Sequence, residues 1–328
     1  MFNNRGVAYE RRKLYAQAIA DFEESIQLWP YRASTYVNRG DAYAATSQFQ
    51  NALADYNSAL KLDPRARGIH AARARLYLRL GYYYLALDDL DRSVARGQDD
   101  ALLLAERCEA RARLKRDLAR ALSDCNTALR LKPRDPLALH ARGLAEAALG
   151  RFDLAVADFS DVLGSAPASE GVLVDRAAAY AALRQYEHAG ADYNGALGLA
   201  PDDPAAREGI CWLGALTATD LDAALAYCSD ILKGDPSDQN ALDSRGFIEL
   251  RMARYGDAVR DYDARLRLTP GSASSLYGRG LARSRLRNPA GAADLSRARA
   301  LDPAIADVYL GAGLKPDSGS DLGLRPSY

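Results

Sequence analysis

Residues 136–167 read PLALHARGLAEAALGRFDLAVADFSDVLGSAP, and their pattern decides the fold. Apolar or small side chains recur at helical spacing on both sides of Leu149-Gly150-Arg151, and Pro167 closes the stretch. The spacing predicts two helices joined by a tight turn. The proline ends the second helix because it has no N–H to donate and its ring clashes with the preceding turn.

The same closing proline recurs along the chain as Pro30, Pro64, Pro133, Pro167, Pro201, Pro236, Pro270 and Pro303. The intervals are 34, 69, 34, 34, 35, 34 and 33 residues, so nine units fit, one of which closes near Gln98 without a proline. With the proline as position 32, position 8 holds Gly6, Gly40, Ala74, Gly143, Ala177, Gly246 and Gly280. Position 20 is alanine in eight units, from Ala18 to Ala258, and position 24 carries Phe22, Tyr56, Leu90, Phe159, Tyr193, Tyr262 and Leu295. Small residues at positions 8 and 20 let two helix backbones approach, and the large side chain at position 24 fills the space between them. One such pair cannot bury both of its faces, so the units must stack on one another.

Small, small, aromatic and proline at this spacing resembles the tetratricopeptide repeat. The resemblance covers about residues 1 to 305. It implies an all-α, right-handed superhelical solenoid of about nine helix-turn-helix repeats with a short C-terminal capping helix. The array is expected over 1–313, in units near 1–32, 33–66, 67–101, 102–135, 136–169, 170–204, 205–238, 239–272 and 273–305 with a cap at 304–313. Residues 314–328 are expected to form a disordered tail, being short of core-forming side chains. In its C-terminal third, at Gly209-Ile210-Cys211-Trp212 and residues 242–246, 275–282 and 300–306, the chain is also similar to bacterial secreted or periplasmic members of the family.

A solenoid escapes the usual size limit of a single core because each repeat touches only its neighbours, so one array is expected. The 43 basic and 43 acidic side chains cancel, which gives no net field to attract nucleic acid or an anionic membrane. No run of 18 or more apolar residues is present to span a bilayer. Met1 falls inside what should be the first helix, so that helix either frays or belongs to a chain that starts upstream.

Position 7 is Arg5, Arg39, Arg73, Arg142, Arg176, Arg245 and Arg279, and position 23 is aspartate in each of those units. Two solvated faces would account for the columns, but their co-occurrence favours an Arg–Asp pair between the two helices. In this alignment the units without the arginine carry Cys108 and Cys211 at position 7, with Cys125 and Cys228 at position 24. The shared placement predicts disulfides Cys108–Cys125 and Cys211–Cys228; the competing reading is four small buried hydrophobes. Zinc does not suit the spacing, which lacks C-x-x-C and nearby histidine. Paired structural cysteines belong to oxidising compartments, which points to a periplasmic or extracytoplasmic location if an upstream signal has been lost, and to the cytoplasm otherwise.

Catalytic patterns are missing: His70, His140 and His188 occupy different unit positions and read as surface or groove residues, and no phosphate loop or nucleophile elbow occurs. No enzyme activity, metal or cofactor is expected. Arg107, Arg111, Arg113, Lys115, Arg116 and Arg120 form the strongest basic cluster, interleaved with Glu106, Glu109, Asp117 and Asp124, and read as a solvated helix face.

In the family, ligands bind a concave groove lined by the first helix of each repeat. Mapped here, units one to four offer a mixed-charge wall of Asn3, Glu10, Arg11, Asp41, Arg75, Arg79, Glu106 and Arg113. Units five to seven offer Leu137, His140, Leu144, Ala147, Val174, Ala178, Ala181, Leu213 and Leu216, an apolar stretch suited to a peptide or helix of a partner protein. The alternatives are that these positions only pack internally, or that the protein is an envelope or assembly scaffold working through its outer surface. The family's clamp for chaperone C-terminal carboxylates is incomplete: Asn38 fits, but Asn3, Val7, Gly68 and Ala72 stand where lysine, asparagine and the remaining cations are needed.

Overall fold

The computed structural model describes residues 1–94, 100–218 and 220–315. It divides into two compact units, Met1–Pro167 and Ala168–Tyr328. The first contains α1 (Phe2–Arg11), α2 (Tyr15–Leu28), α3 (Ala33–Ala45), α4 (Phe49–Leu62), α5 (Arg67–Arg79), α6 (Tyr83–Ser93), α7 (Ala101–Arg113), α8 (Leu118–Leu131), α9 (Pro136–Ala148) and α10 (Phe152–Ser165). The second contains α11 (Glu170–Ala182), α12 (Tyr186–Leu199), α13 (Pro204–Thr217), α14 (Leu221–Gly234), α15 (Gln239–Arg251), α16 (Tyr255–Leu268), α17 (Ala273–Arg285), α18 (Ala290–Leu301) and α19 (Ile305–Gly311). Among the described residues every regular element is a helix. Odd-numbered helices up to α17 are the first of each repeat, here helix A, and the even-numbered ones are helix B.

Local chemistry sets these boundaries. The Asp135 and Asp203 side chains accept from the Ala138 and Ala206 amides, capping α9 and α13, and each of those helices starts with a proline whose missing N–H costs nothing there. Between helices A and B one residue takes a left-handed conformation, Gly81 and Gly150 in two repeats and Lys13, Ser47, Arg184, Ala253 and Arg287 in others.

Packing follows the small-aromatic pattern. Ala155 and Phe159 are fully buried, and a Cβ at Gly143 would lie 2.5 Å from the Phe159 ring, so only glycine lets α9 settle on it. The tip of Tyr193 presses on the following repeat in the same way, where a Cβ at Gly209 would come within 2.3 Å. Burying one such ring stabilises by about 2–3 kcal/mol.

All seven expected Arg–Asp pairs form. Arg142 donates from Nε to Asp158 Oδ2 at 2.8 Å and from Nη2 to Oδ1 at 2.6 Å. Its third nitrogen reaches Asn126 on the preceding helix B at 3.3 Å, so one guanidinium joins three helices. In three repeats a tyrosine four residues later lies under the guanidinium: Tyr43, Tyr77 and Tyr180, at 5.7, 5.7 and 5.6 Å. The Arg5 guanidinium holds the Asp21 carboxyl below its ordinary range.

The two cysteine repeats depart from the expected alignment. Helices α9 and α10 begin at Pro136 and Phe152, whereas α7 and α8 begin at Ala101 and Leu118, and α13 and α14 at Pro204 and Leu221. One residue is added to each turn, and two residues take left-handed angles there, Lys115 with Asp117 and Ala218 with Asp220. Counted from the start of helix A, Cys108 and Cys211 therefore stand where Gly143 stands, not where Arg142 stands. The arginine column is occupied by Arg107, making an eighth pair with Asp124, and by Ile210. The sulfurs are bonded as Cys108–Cys125 and Cys211–Cys228, with Cα atoms 5.7 and 5.2 Å apart, replacing the glycine-on-ring contact.

At the C-terminal end α19 buries Ile305 and Tyr309, and the Tyr309 hydroxyl donates to the Ser274 carbonyl at 2.8 Å. Of the segment read as a tail, Leu314 packs against this core and the Lys315 carbonyl accepts from Arg285; residues 316–328 lie outside the described residues.

Candidate functional site

From α3 on, one column of helix A lies eight positions after the first residue and one after the glycine column; its Asp41 and Arg75 line one cavity, and its Trp212 and Phe247 another. In the first unit this column reads Asp41, Arg75, Glu109 and Leu144, and in the second Ala178, Trp212, Phe247 and Leu281, the last buried in the core. The column is mostly charged in the first unit and apolar in the second.

The charged part is largely satisfied from within. A cavity of about 620 Å³ between α3 and α5 is lined by Val37, Asn38, Asp41, Ile69, Ala72 and Arg75, among others. Tyr56 donates to Asp41 at 2.6 Å, Arg75 donates to Glu106 at 2.7 Å, and Asn38 donates to Asn3 at 3.1 Å. Burial raises both the Asp41 and the Glu106 carboxyls.

In the second unit Trp212 is 42% exposed, and it lines a smaller cavity of about 180 Å³ with Leu216, Phe247, Val308 and Asp243. Asp243 accepts from the Ser275 hydroxyl at 2.5 Å and from Arg265 at 3.2 Å, and burial holds its carboxyl above the ordinary range. Val174 is half-buried, Ala178 is exposed and Leu216 is half-buried. Ala181 and Leu213 are instead buried in one core cluster with Tyr193, and Leu213 lines a recess between α12, α13 and α14, not the cavity beside Trp212. The added turn residue explains Leu213: the true register puts Trp212 on the open face and turns Leu213 inward. In the first unit Leu137, His140, Leu144 and Ala147 are all half-buried, with the His140 ring 5.7 Å from Phe159.

Two other expectations change. Arg107 and Arg111 do not belong to a solvated face: Arg111 is buried, and both bond Asp124 and Asp91, while Arg113, Lys115, Arg116 and Arg120 are exposed. His70 is not at the surface; it is buried with Nδ1 2.6 Å from Asp89 and Nε2 3.1 Å from the Pro64 carbonyl. His188 is exposed and stacks on Tyr180 at 5.1 Å.

Models of the family described as tetratricopeptide repeat match residues 33–65 and, in two overlapping stretches, 109–170 and 140–204. These are tetratricopeptide repeats. Solved structures with the same repeat agree on the fold. A tetratricopeptide repeat protein from Parabacteroides merdae is 16% identical, with a TM-score of 0.59 over 75% of this chain and 97% of that one. The Cut9–Hcn1 complex of the APC/C gives 15% identity and a TM-score of 0.61 over 91% of this chain and 58% of the other. PilW, a type IV pilus biogenesis factor, gives 16% identity and a TM-score of 0.52 over 63% and 95%. No curated protein matches the sequence.

Asn38 on α3 and Gly68 and Ala72 on α5 line the first cavity, with no cation at those two α5 positions. In the second unit the exposed members of this column are the apolar Ala178 and Trp212. Trp212, which the sequence reading passed over, is its largest exposed side chain in the second unit. Aligning α13 on Asp203-Pro204 against Asp135-Pro136 of α9 would have found it.

Proposed function

We propose that the chain is a non-enzymatic protein-interaction module whose A-helix face takes a peptide or helix of a partner protein on its apolar stretch. The carrying observation is the exposed Ala178 and Trp212 beside half-buried Val174, Leu216 and Phe247 in the second unit. Exposed apolar side chains on one face mark an interaction surface more than a solvated one. Leu137, His140, Leu144 and Ala147 of α9 belong to the same proposed surface type; Ala181 and Leu213 support it from the core. PilW, whose fold is similar, is a type IV pilus biogenesis factor, and a role in assembly would also work through such an interaction surface.

A photo-crosslinking residue at position 178, compared with one at exposed Arg260 on α16, tests this reading in cells. Protein adducts at 178 that disappear with Trp212→Asp are the expected result. Adducts confined to position 260 would favour a scaffold acting through its outer helices.

A further inference from the structure

Repeat seven, α13 with α14, lacks the parts that fill one recess in its neighbours. Elsewhere the recess between helix A and two successive B helices holds the ladder arginine, and in three repeats the tyrosine beneath it. In repeat seven the arginine position is Ile210, the tyrosine position is Gly214, and the aspartate position is Tyr227. A cavity of about 740 Å³ remains, lined by α12, α13 and α14. Its wall includes Tyr186, Tyr227, Asn194, Glu187 and Asp220, with two carboxylates and no lysine or arginine.

Asn194 stands where Asn57 and Asn126 stand in other repeats. Those residues accept from Arg73 and Arg142 at 2.5 and 3.3 Å, each sixteen residues downstream. The residue sixteen downstream of Asn194 is Ile210, so it has no ladder arginine to accept from.

We infer that this recess is a second binding site, which takes an arginine side chain from a partner protein in place of the arginine the repeat does not supply. The chain itself shows this recognition chemistry at Arg73, whose guanidinium, besides its pair with Asp89, donates to the Asn57 amide oxygen of the preceding helix B with the Tyr77 ring beside it. Charge complementarity selects a cation, since Glu187 and Asp220 line a recess without a positive group. The planar fork of arginine suits the amide and ring together in a way that the point charge of lysine does not. This site is lined by other residues than the A-helix face proposed above and borders it where Tyr186 packs edge-on against Trp212.

The test is to pan a random twelve-residue peptide phage library on the full chain. The recovered clones are then measured against Ile210→Arg, which places the missing guanidinium in the recess from within. Clones should be enriched in arginine, bind Ile210→Arg at least tenfold more weakly, and lose binding when their arginine becomes lysine. Ala178→Arg should leave them unchanged. Asn194→Leu, at an exposed helix position, carries the same test if melting shows that Ile210→Arg is unfolded. Recovery of no clone, of clones without arginine, or of clones that ignore both recess variants overturns the proposal. Clones lost only with Ala178→Arg overturn it too, while supporting the A-helix face.

Discussion

Repeats four and seven share one covalent device and differ in everything around it. Both lengthen the turn by a residue, and both replace the glycine-on-ring contact by a disulfide. In repeat four the recess is overfilled, with Arg107 and Arg111 both on Asp124 and both reaching Asp91 of the preceding helix B. In repeat seven it is empty of charge pairing, with Ile210 and Tyr227 at the paired positions. The difference teaches that the crosslink and the ladder are separable means of holding helix A on helix B. A repeat that has the first can dispense with the second and free a surface.

The sharpest way to break this comparison is to remove each crosslink in turn. Cys211→Ser with Cys228→Ser should cost about 3 kcal/mol, the loop-closure value for a link of this span, measured by urea unfolding. Replacing Cys108 and Cys125 by serine should cost the same, about 3 kcal/mol, because the span is equal, but should leave the α7 and α8 amides better protected from hydrogen exchange than those of α13 and α14, since the buried Arg–Asp network still joins the helices. Equal loss of protection in the two hairpins would show that the network does not substitute for the disulfide. An ordinary ladder pair gives the scale below these. Arg142→Ala removes a side chain that is 31% exposed and should cost about 1 kcal/mol by thermal melting.

The smallest expected effect lies in a repeat that has the ladder but not the crosslink. Glu249 on α15 has one buried carboxylate oxygen without a hydrogen-bond partner, and burial followed by the nearby Asp261 pushes its pKa from 4.5 up to about 8. A raised acid favours the folded state while protonated, so this stability is present below about pH 4.5 and lost as pH rises through about 8. Glu249→Gln should therefore stabilise by about 1 kcal/mol at pH 9, after solvent screening, and by almost nothing at pH 4. Melting curves at the two pH values check the sign.

Most of the fold is legible because proline, alanine and the aromatic sit on helix B or at its end, where the spacing is constant. Helix A is legible only where the turn keeps its usual length. Counting back from Pro133 and Pro236 carries the added residue into α7 and α13. It puts Cys108 and Cys211 in the arginine column and hides Arg107. The same slip exchanges buried Leu213 for exposed Trp212. The burial of His70 was hidden for another reason: its partners, Asp89 and the Pro64 carbonyl, come from the next helix and the preceding linker, and no local periodicity announces them.

Each crosslink spans a sequence separation of 17 residues within one helical hairpin. Pulled from its ends, a chain of stacked repeats unfolds repeat by repeat, but a bonded hairpin withholds the segment between its sulfurs. At about 3.4 Å per residue this is roughly 55–60 Å of contour length for each bond. Two repeats of the nine would thus yield short steps in a force trace, growing to full length once a reductant is added. The chain carries a redox-dependent limit on how far it can be stretched.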